Sequence, residues 1–409
     1  MPTADPVPCR TGAVWRRAAL LLATGTFALA LAACGDSDSS SSGSSSSAAA
    51  SAPDAASPKL DEAKAIVEKA SGPQEFVAPG PAIEDASSLK GKTVYWIGNA
   101  NQVPILQRML TAGKQAADLL GMNVIVGDAK GQPSVLLSEI DKAISRNVDA
   151  IVTTSFSADS ISAGLKAAKD AGIPVILSYA GDPELPTEAE KALGVVSKPT
   201  FCYSCSGKIA AALSVVNAAE TNTDAISAVS FQAPESPNSV LGAEGYVDEL
   251  KRLCTGTCEV KLEDAPVAKW NTALTQQTES IVRRDPKLNY MYASFDNILD
   301  WAIPGIQNVS ATDRIKAIGY NGSTVPMENL KAGKGPVLGE IWSPGSWSGW
   351  SIVDSVARAL TDMEPTTVPI TQDRLYLAAD AKSLDVEDEA SWYGDLNLES
   401  EFKTLWGVQ

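Results

Sequence analysis

Four cysteines stand at two short spacings, Cys202-Tyr-Ser-Cys205 and Cys254-Thr-Gly-Thr-Cys258. Thiols so placed form local disulfides, cycle as a redox couple, or hold zinc as thiolates. A redox couple calls for a thioredoxin-like strand–helix setting near the chain start, and that setting is missing here. The sequence contains no histidine. The usual general base and the commonest metal ligand are therefore absent, which excludes a Ser-His-Asp triad and a His-ligated zinc centre. Paired carboxylates remain as a source of acid–base chemistry. The best-spaced pair, Asp296 and Asp300, are helix neighbours that read as a solvated face. No catalytic residue, metal or cofactor is expected, and the chain does not read as an enzyme.

A fifth cysteine, Cys34, sits in LALAACGDSDSSSSGSSSSAAAS, where an oily run gives way to serine and alanine. Arg10, Arg16 and Arg17 precede the apolar run Ala18–Ala33, which is short for a membrane span of roughly 20 residues and reads as a secretory signal. Leu31-Ala32-Ala33-Cys34 resembles the lipobox of bacterial lipoproteins, which implies cleavage before Cys34 and acylation of its thiol. The tract that follows has too few apolar side chains to offset its ordering entropy. Residues 34–58 read as a tether of about 27 Å root-mean-square reach, enough to hold a globular body near a membrane. An exported chain meets an oxidising space, which favours the local bridges Cys202–Cys205 and Cys254–Cys258 among the connectivities open to four thiols. The 409 residues carry 33 Lys+Arg and 49 Asp+Glu, for a net charge of −16; without the leader's three Arg and one Asp the balance is 30 against 48, or −18. So acidic a body offers nucleic acid no electrostatic footprint.

The elements that must position any site follow a rhythm. A short helical patch (59–70) and a joint with Pro73, Pro79 and Pro81 occupy residues 59–87. Strand runs then alternate with helix-periodic runs: strand 93–98, helix 103–120, strand 123–127, helix 134–146, strand 150–154, helix 160–171, strand 173–177. The pattern restarts with helix 206–219, strand 225–231, helix 240–253, strand 259–262, helix 272–283, strand 289–293, helix 298–307 and strand 315–320. Short β-branched runs alternating with longer helices indicate βαβ units and parallel sheets with helices on both faces. Two such halves make an α/β fold of two doubly wound lobes, with ligands binding beyond the carboxyl ends of the strands. No Gly-rich phosphate loop follows any strand, which disfavours nucleotides.

Across residues 88–375 these motifs resemble the type I, ribose-like solute-binding proteins of bacterial ABC importers. Leu120-Gly121 before NVIVG, the run AIVTTSFSADSISAGLKAAKDAGIPVIL, Ala293-Ser294-Phe295-Asp296 and Gly319-Tyr320-Asn321-Gly322 carry the resemblance. It implies two lobes joined by three hinge crossovers, near Lys198, Leu338 and Pro365. Lobe one would be 88–199 plus 338–364, and lobe two 200–337 plus 365–409. The C-terminal stretch 385–409 is expected to dock on lobe two as an added helix.

Departures from the family pattern shape the ligand reading. Sugar binders grip hydroxyls with an Asp-Arg pair where this chain has Tyr179-Ala180, and with an Arg near Asn238-Ser239-Val240. Their Gly-Phe-Asp-Gly carboxylate is Asn321 here, and a stacking aromatic pair is Ile105-Leu106. Trp270 keeps an aromatic position, Phe295 replaces an asparagine, and Trp342 replaces a polar residue. The resemblance thus implies a pocket of Tyr179, Trp270, Phe295 and Trp342 with Asn99, Asn101, Asn238, Asn321 and Asp296. Such a pocket suits a flatter or more apolar solute than a pyranose. Trp347 and Trp350 read as packing. The implied function is capture of a small molecule, sugar-like or more apolar, by a monomer on the outer face of the cell membrane, and its delivery to an ABC permease. The other reading is a sensor that presents its solute to a membrane receptor.

Overall fold

The computed structural model describes residues 58–364, 366 and 371–408. The expected signal peptide, Cys34, the tether as far as Ser57, and Pro365 lie outside them. Helix α1 (Pro58–Ser71) leads. Lobe one follows as β1 (Thr93–Gly98), α2 (Pro104–Leu119), β2 (Asn123–Asp128), α3 (Pro133–Ser145), β3 (Ala150–Thr154), α4 (Ser162–Asp170), β4 (Val175–Ser178), α5 (Glu188–Ala192) and β5 (Val195–Ser197). Its sheet has the order β2-β1-β3-β4-β5, all parallel. The chain then crosses over to α6 (Tyr203–Glu220), β6 (Ala225–Gln232), α7 (Pro237–Leu253), β7 (Thr257–Asp264), α8 (Trp270–Arg284), β8 (Tyr290–Ala293), α9 (Asp296–Asn308), β9 (Lys316–Tyr320), α10 (Thr324–Ala332) and β10 (Val337–Trp342). Helix α11 (Gly345–Leu360) returns to lobe one. Strand β11 (Arg374–Leu377), α12 (Ala378–Ala381) and α13 (Leu398–Trp406) close the chain. The second sheet runs β11-β10-β9-β8-β6-β7, with β11 its one antiparallel member.

Strands buried on both faces read as continuous apolar runs, and β3 and β8 are buried at every residue. Prolines in the first turn start α2, α3 and α7, where a missing N–H costs nothing. Helix α6 is apolar all round because it is covered all round: the sheet lies under it, α7 beside it and α1 across it. Its crossing with α7 is tight enough that a Cβ on Gly207 would sit 2.1 Å from the Gly242 carbonyl oxygen.

Residues 198–202, from Lys198, join β5 to α6. The second expected crossover does not fall at Leu338. Strand β10 stays hydrogen-bonded to β9 and β11 as far as Trp342, so residues 338–342 belong to lobe two and the chain leaves at Ser343-Pro344. The C-terminal helix also departs from expectation. It packs on lobe one, where Trp350 of α11 stacks on Phe402 (5.6 Å) and Trp406 (5.8 Å), and the Trp406 indole donates to Asp354 Oδ1 at 2.9 Å. Its amphipathic pattern showed that it docks; the aromatic face of α11 decides where. Trp347 and Trp350 are buried packing residues. Both disulfides, Cys202–Cys205 and Cys254–Cys258, are formed.

Two segments outside the βαβ pattern also span the lobes. The N-terminal one starts on α6 of lobe two, and Phe76 then stacks on Trp347 of lobe one and meets Phe402 edge-on. In the C-terminal one, Trp392 and Tyr393 pack on Trp342 of β10, while α13 lies on α11. The two hold each other through Ile83 N–H to Leu405 O at 3.1 Å.

Candidate functional site

Parallel sheets gather their chemistry where strands end and helices begin. Three strand ends here carry non-glycine residues at positive φ: Ser155 after β3 (61°), Tyr179 after β4 (58°) and Asn321 after β9 (122°). Such backbone costs on the order of 1–3 kcal/mol each and persists where its surroundings hold it. Tyr179 lies where the lobes meet, since its carbonyl accepts from Asn238 of lobe two.

Asn238 sits at the start of α7 in lobe two. Its Oδ1 accepts from Gly181 N–H (3.0 Å) and its Nδ2 donates to the Tyr179 carbonyl (2.8 Å), both in lobe one. This buried amide therefore clasps the opposite lobe's backbone, where the resemblance placed a solute contact. The Tyr179 ring is buried, meets Phe201 edge-on at 4.7 Å, and its hydroxyl bonds Ser348 of α11. Half-buried Asn99 and Asn101 tie strand-end loops, Asn99 Nδ2 donating to Ser155 O (3.1 Å) and Asn101 Nδ2 to Gly127 O (3.0 Å).

In lobe two, Trp270 and Phe295 are half-buried at the first turns of α8 and α9, and the Trp270 indole donates to Ala265 O at 2.7 Å. Trp342 stands elsewhere than expected. It is fully buried among Tyr376, Trp392 and Tyr393, with its indole N–H on Glu389 at 3.3 Å, so it is core at the sheet edge. The sequence reading could not see the 392–393 aromatics that enclose it. Glu389 also accepts from the Gly345 and Ser346 N–H groups at the start of α11 and pairs with Arg108 of α2 at 3.5 Å.

Asp296 neither caps its own helix nor lies open. Its two oxygens accept from Tyr320 N–H (2.8 Å) and Ser323 N–H (2.6 Å), fastening the turn that carries Asn321. Glu340 accepts from Gly322 N–H at 3.1 Å in the same turn. The two carboxyls converge where Gly319 has no side chain: a Cβ there would lie 2.1 Å from Glu340 Oε2 and 2.5 Å from Asp296 Oδ1. Burial, and for Glu340 also the charge of Asp296, pushes both groups up, Asp296 to about 7. Burial also pushes Asp300, on the same helix, to about 6.

A second carboxylate, Asp373, escaped the sequence reading. Strand β11 runs antiparallel to β10 with Arg374 opposite Trp342, which sets Asp373 beside Ser343 at the crossover. The Ser343 hydroxyl donates to Asp373 Oδ1 at 2.8 Å, and Asp373 Oδ2 has no partner. Nearby, Asn321 Oδ1 is also buried without a partner, and the Tyr320 hydroxyl lies by Ser343. Tyr203, at the start of α6, meets Tyr320 edge-on at 6.1 Å. Burial pushes Asp373 to about 7 and raises the Tyr203 and Tyr320 phenols. One signal was legible: Tyr320 adds a hydroxyl where the family has Phe. Asp373 had none, because only strand pairing brings it beside Ser343. Among the described residues no cluster of acidic or sulfur side chains is set to hold a metal ion, and no helix is long and apolar enough to cross a membrane.

Two lobes of parallel sheet, exchanged at crossovers and facing each other at their strand ends, define a type I binding-protein fold. The periplasmic binding protein domain matches residues 94–362, and the chain belongs to that family. Among solved structures it is similar to an ABC transporter solute-binding protein from Agrobacterium vitis bound with α-D-tagatopyranose (20% identity, 72% of this chain and 98% of that one, TM-score 0.62). A galactofuranose binding protein is alike as well (17%, 73% and 99%, 0.61). So is a Bacillus halodurans solute-binding protein with myo-inositol (19%, 72% and 97%, 0.59).

Proposed function

We propose that this chain is an extracytoplasmic solute-binding lipoprotein, anchored through Cys34, that captures a small polar solute between its lobes and delivers it to an ABC permease. The observation that carries this reading is the clasp of Asn238 on Tyr179 and Gly181, a lobe-to-lobe contact set among unpartnered polar groups at the strand ends. Buried polar atoms without partners cost about 1–3 kcal/mol each, and a solute that pairs with them recovers that cost. Structural relatives with sugars and polyols bound support the solute class. Trp270 and Phe295 supply aromatic surface, and Asn321 an orienting amide.

Calorimetric titration with a panel of monosaccharides, polyols and their amino derivatives tests the reading. Saturable binding at one site per chain is expected. Trp270→Ala should weaken it about 30-fold, the loss of an aromatic anchor worth about 2 kcal/mol. Titrations that stay flat across the whole panel would count against it. Anchoring is tested separately. The intact mass of membrane-extracted protein should equal the chain from Cys34 plus a diacyl- or triacylglyceryl group, and an unmodified N-terminus elsewhere would refute it.

A further inference from the structure

Resting on that reading, we infer that the solute carries a protonated amine and that Asp373 is the residue that selects it. Asp373 Oδ1 is held by Ser343, while Oδ2 is buried and unpaired. Asp373 stands just ahead of β11, and its charge opposes the ionisation of four phenols, Tyr292 of β8, Tyr320 of β9, Tyr203 of α6 and Tyr179 of lobe one. The one other charge acting on Asp373 is a second carboxylate, Asp182, on the loop after β4. Asp182 itself is held only by the Ser204 N–H at 3.1 Å.

No cation among the described residues answers this charge. Arg374, the next residue, turns away to lie over the Tyr376 ring at 4.7 Å and donates to Trp392 O. Arg108 pairs with Glu389, and Lys198 with Glu184 and Glu190. A negative site near the Tyr203–Tyr320 ring pair, with free acceptors on Asp373 and Asn321, matches an ammonium group, which supplies donors, charge and a partner for aromatic faces. Asn321 Oδ1 leaves a hydrogen bond for a hydroxyl on the same molecule. An aminopolyol or amino sugar fits this description, and a neutral sugar leaves the carboxylate unanswered.

The sign of the pH dependence separates the two cases. An amine binds the ionised carboxylate, so its affinity rises as pH climbs through about 7, where Asp373 titrates in the empty protein. A neutral polyol that accepts from the protonated acid shows the opposite trend. N-methylglucamine and sorbitol make a matched pair, the same polyol chain with and without the ammonium. Calorimetric titration of the full chain with each, at pH 6 and pH 8, is the experiment. Expected is tighter binding of N-methylglucamine, strengthening about tenfold between the two pH values as the ionised fraction goes from roughly one-tenth to nine-tenths. Asp373→Asn should abolish both the preference and the pH trend, with far-UV circular dichroism and melting temperature as controls for folding. Sorbitol binding as tightly as the amine, or amine binding indifferent to pH, overturns the inference and leaves solute capture standing. Binding of neither, nor of any other compound in the wider panel, overturns both.

Discussion

At the scale of single residues, the meeting of the buried Asp296 and Glu340 carboxyls at Gly319 has a measurable consequence. In the unfolded chain both carboxyls ionise near pH 4. In the folded chain burial holds them protonated further up, Asp296 to about 7 and Glu340 also well above its usual range. The folded state therefore binds more protons over that window, and stability falls as pH rises from about 4 to about 7. Asp300, pushed to about 6 by burial, adds in the same direction. Glu340→Gln replaces the titrating proton by a permanent amide donor to Asp296 and keeps an acceptor for Gly322 N–H. Urea denaturation of this variant should show a gain on the order of 1–3 kcal/mol at pH 8 and little change at pH 5. An equal effect at both pH values would mean that neither carboxyl titrates in that window.

At the scale of elements, helix contact depends on absent side chains. Gly207 of α6 lies under the Gly242 carbonyl of α7, and Gly245 of α7 approaches Ser204 O at a distance where a Cβ would sit 2.5 Å away. Gly207→Ala must push the helices apart. A loss of about 1–3 kcal/mol is expected from overpacking, although alanine has the better helix propensity. Since α6 starts at Tyr203 and α7 carries Asn238, the same substitution should also weaken solute binding. Chemical denaturation and titration of one sample measure both, and unchanged stability would show that the crossing has slack.

The whole molecule is held by more than the connections between its two sheets. The tail packs Trp392 and Tyr393 on β10 of lobe two and lays α13 on α11 of lobe one, while Phe76 ties the N-terminal segment to both Trp347 and Phe402. Trp406→Ala removes the stack on Trp350 and the indole bond to Asp354, whose partner Arg358 is buried with it. A stability loss of about 3–5 kcal/mol is expected for so large a truncation in a packed site. Loosening this strap should also let the lobes part further. Spin labels at exposed Gln132 and Asn297 of the solute-free protein should report a longer and broader distance distribution in this variant. An unchanged distribution would confine the strap to stability.

What is local in the chain was legible before any fold. Strands β1 and β3 were bounded to the residue, and the bridges Cys202–Cys205 and Cys254–Cys258 followed from short spacing in an exported chain. Period and turn chemistry act over a few residues, so a linear reading captures them. Everything that depends on which surfaces meet was decided by tertiary structure. The reach of β10 to Trp342 depends on two partner strands, and Trp342 became core because the far-downstream Trp392 and Tyr393 cover it. Asn238 turned from solute contact to clasp because the opposite loop presents a carbonyl and an N–H at the right spacing. Asp373 came to lie beside Ser343 because an antiparallel strand returns to the edge of a parallel sheet, a pairing of remote segments that leaves no trace in the neighbours of a single aspartate.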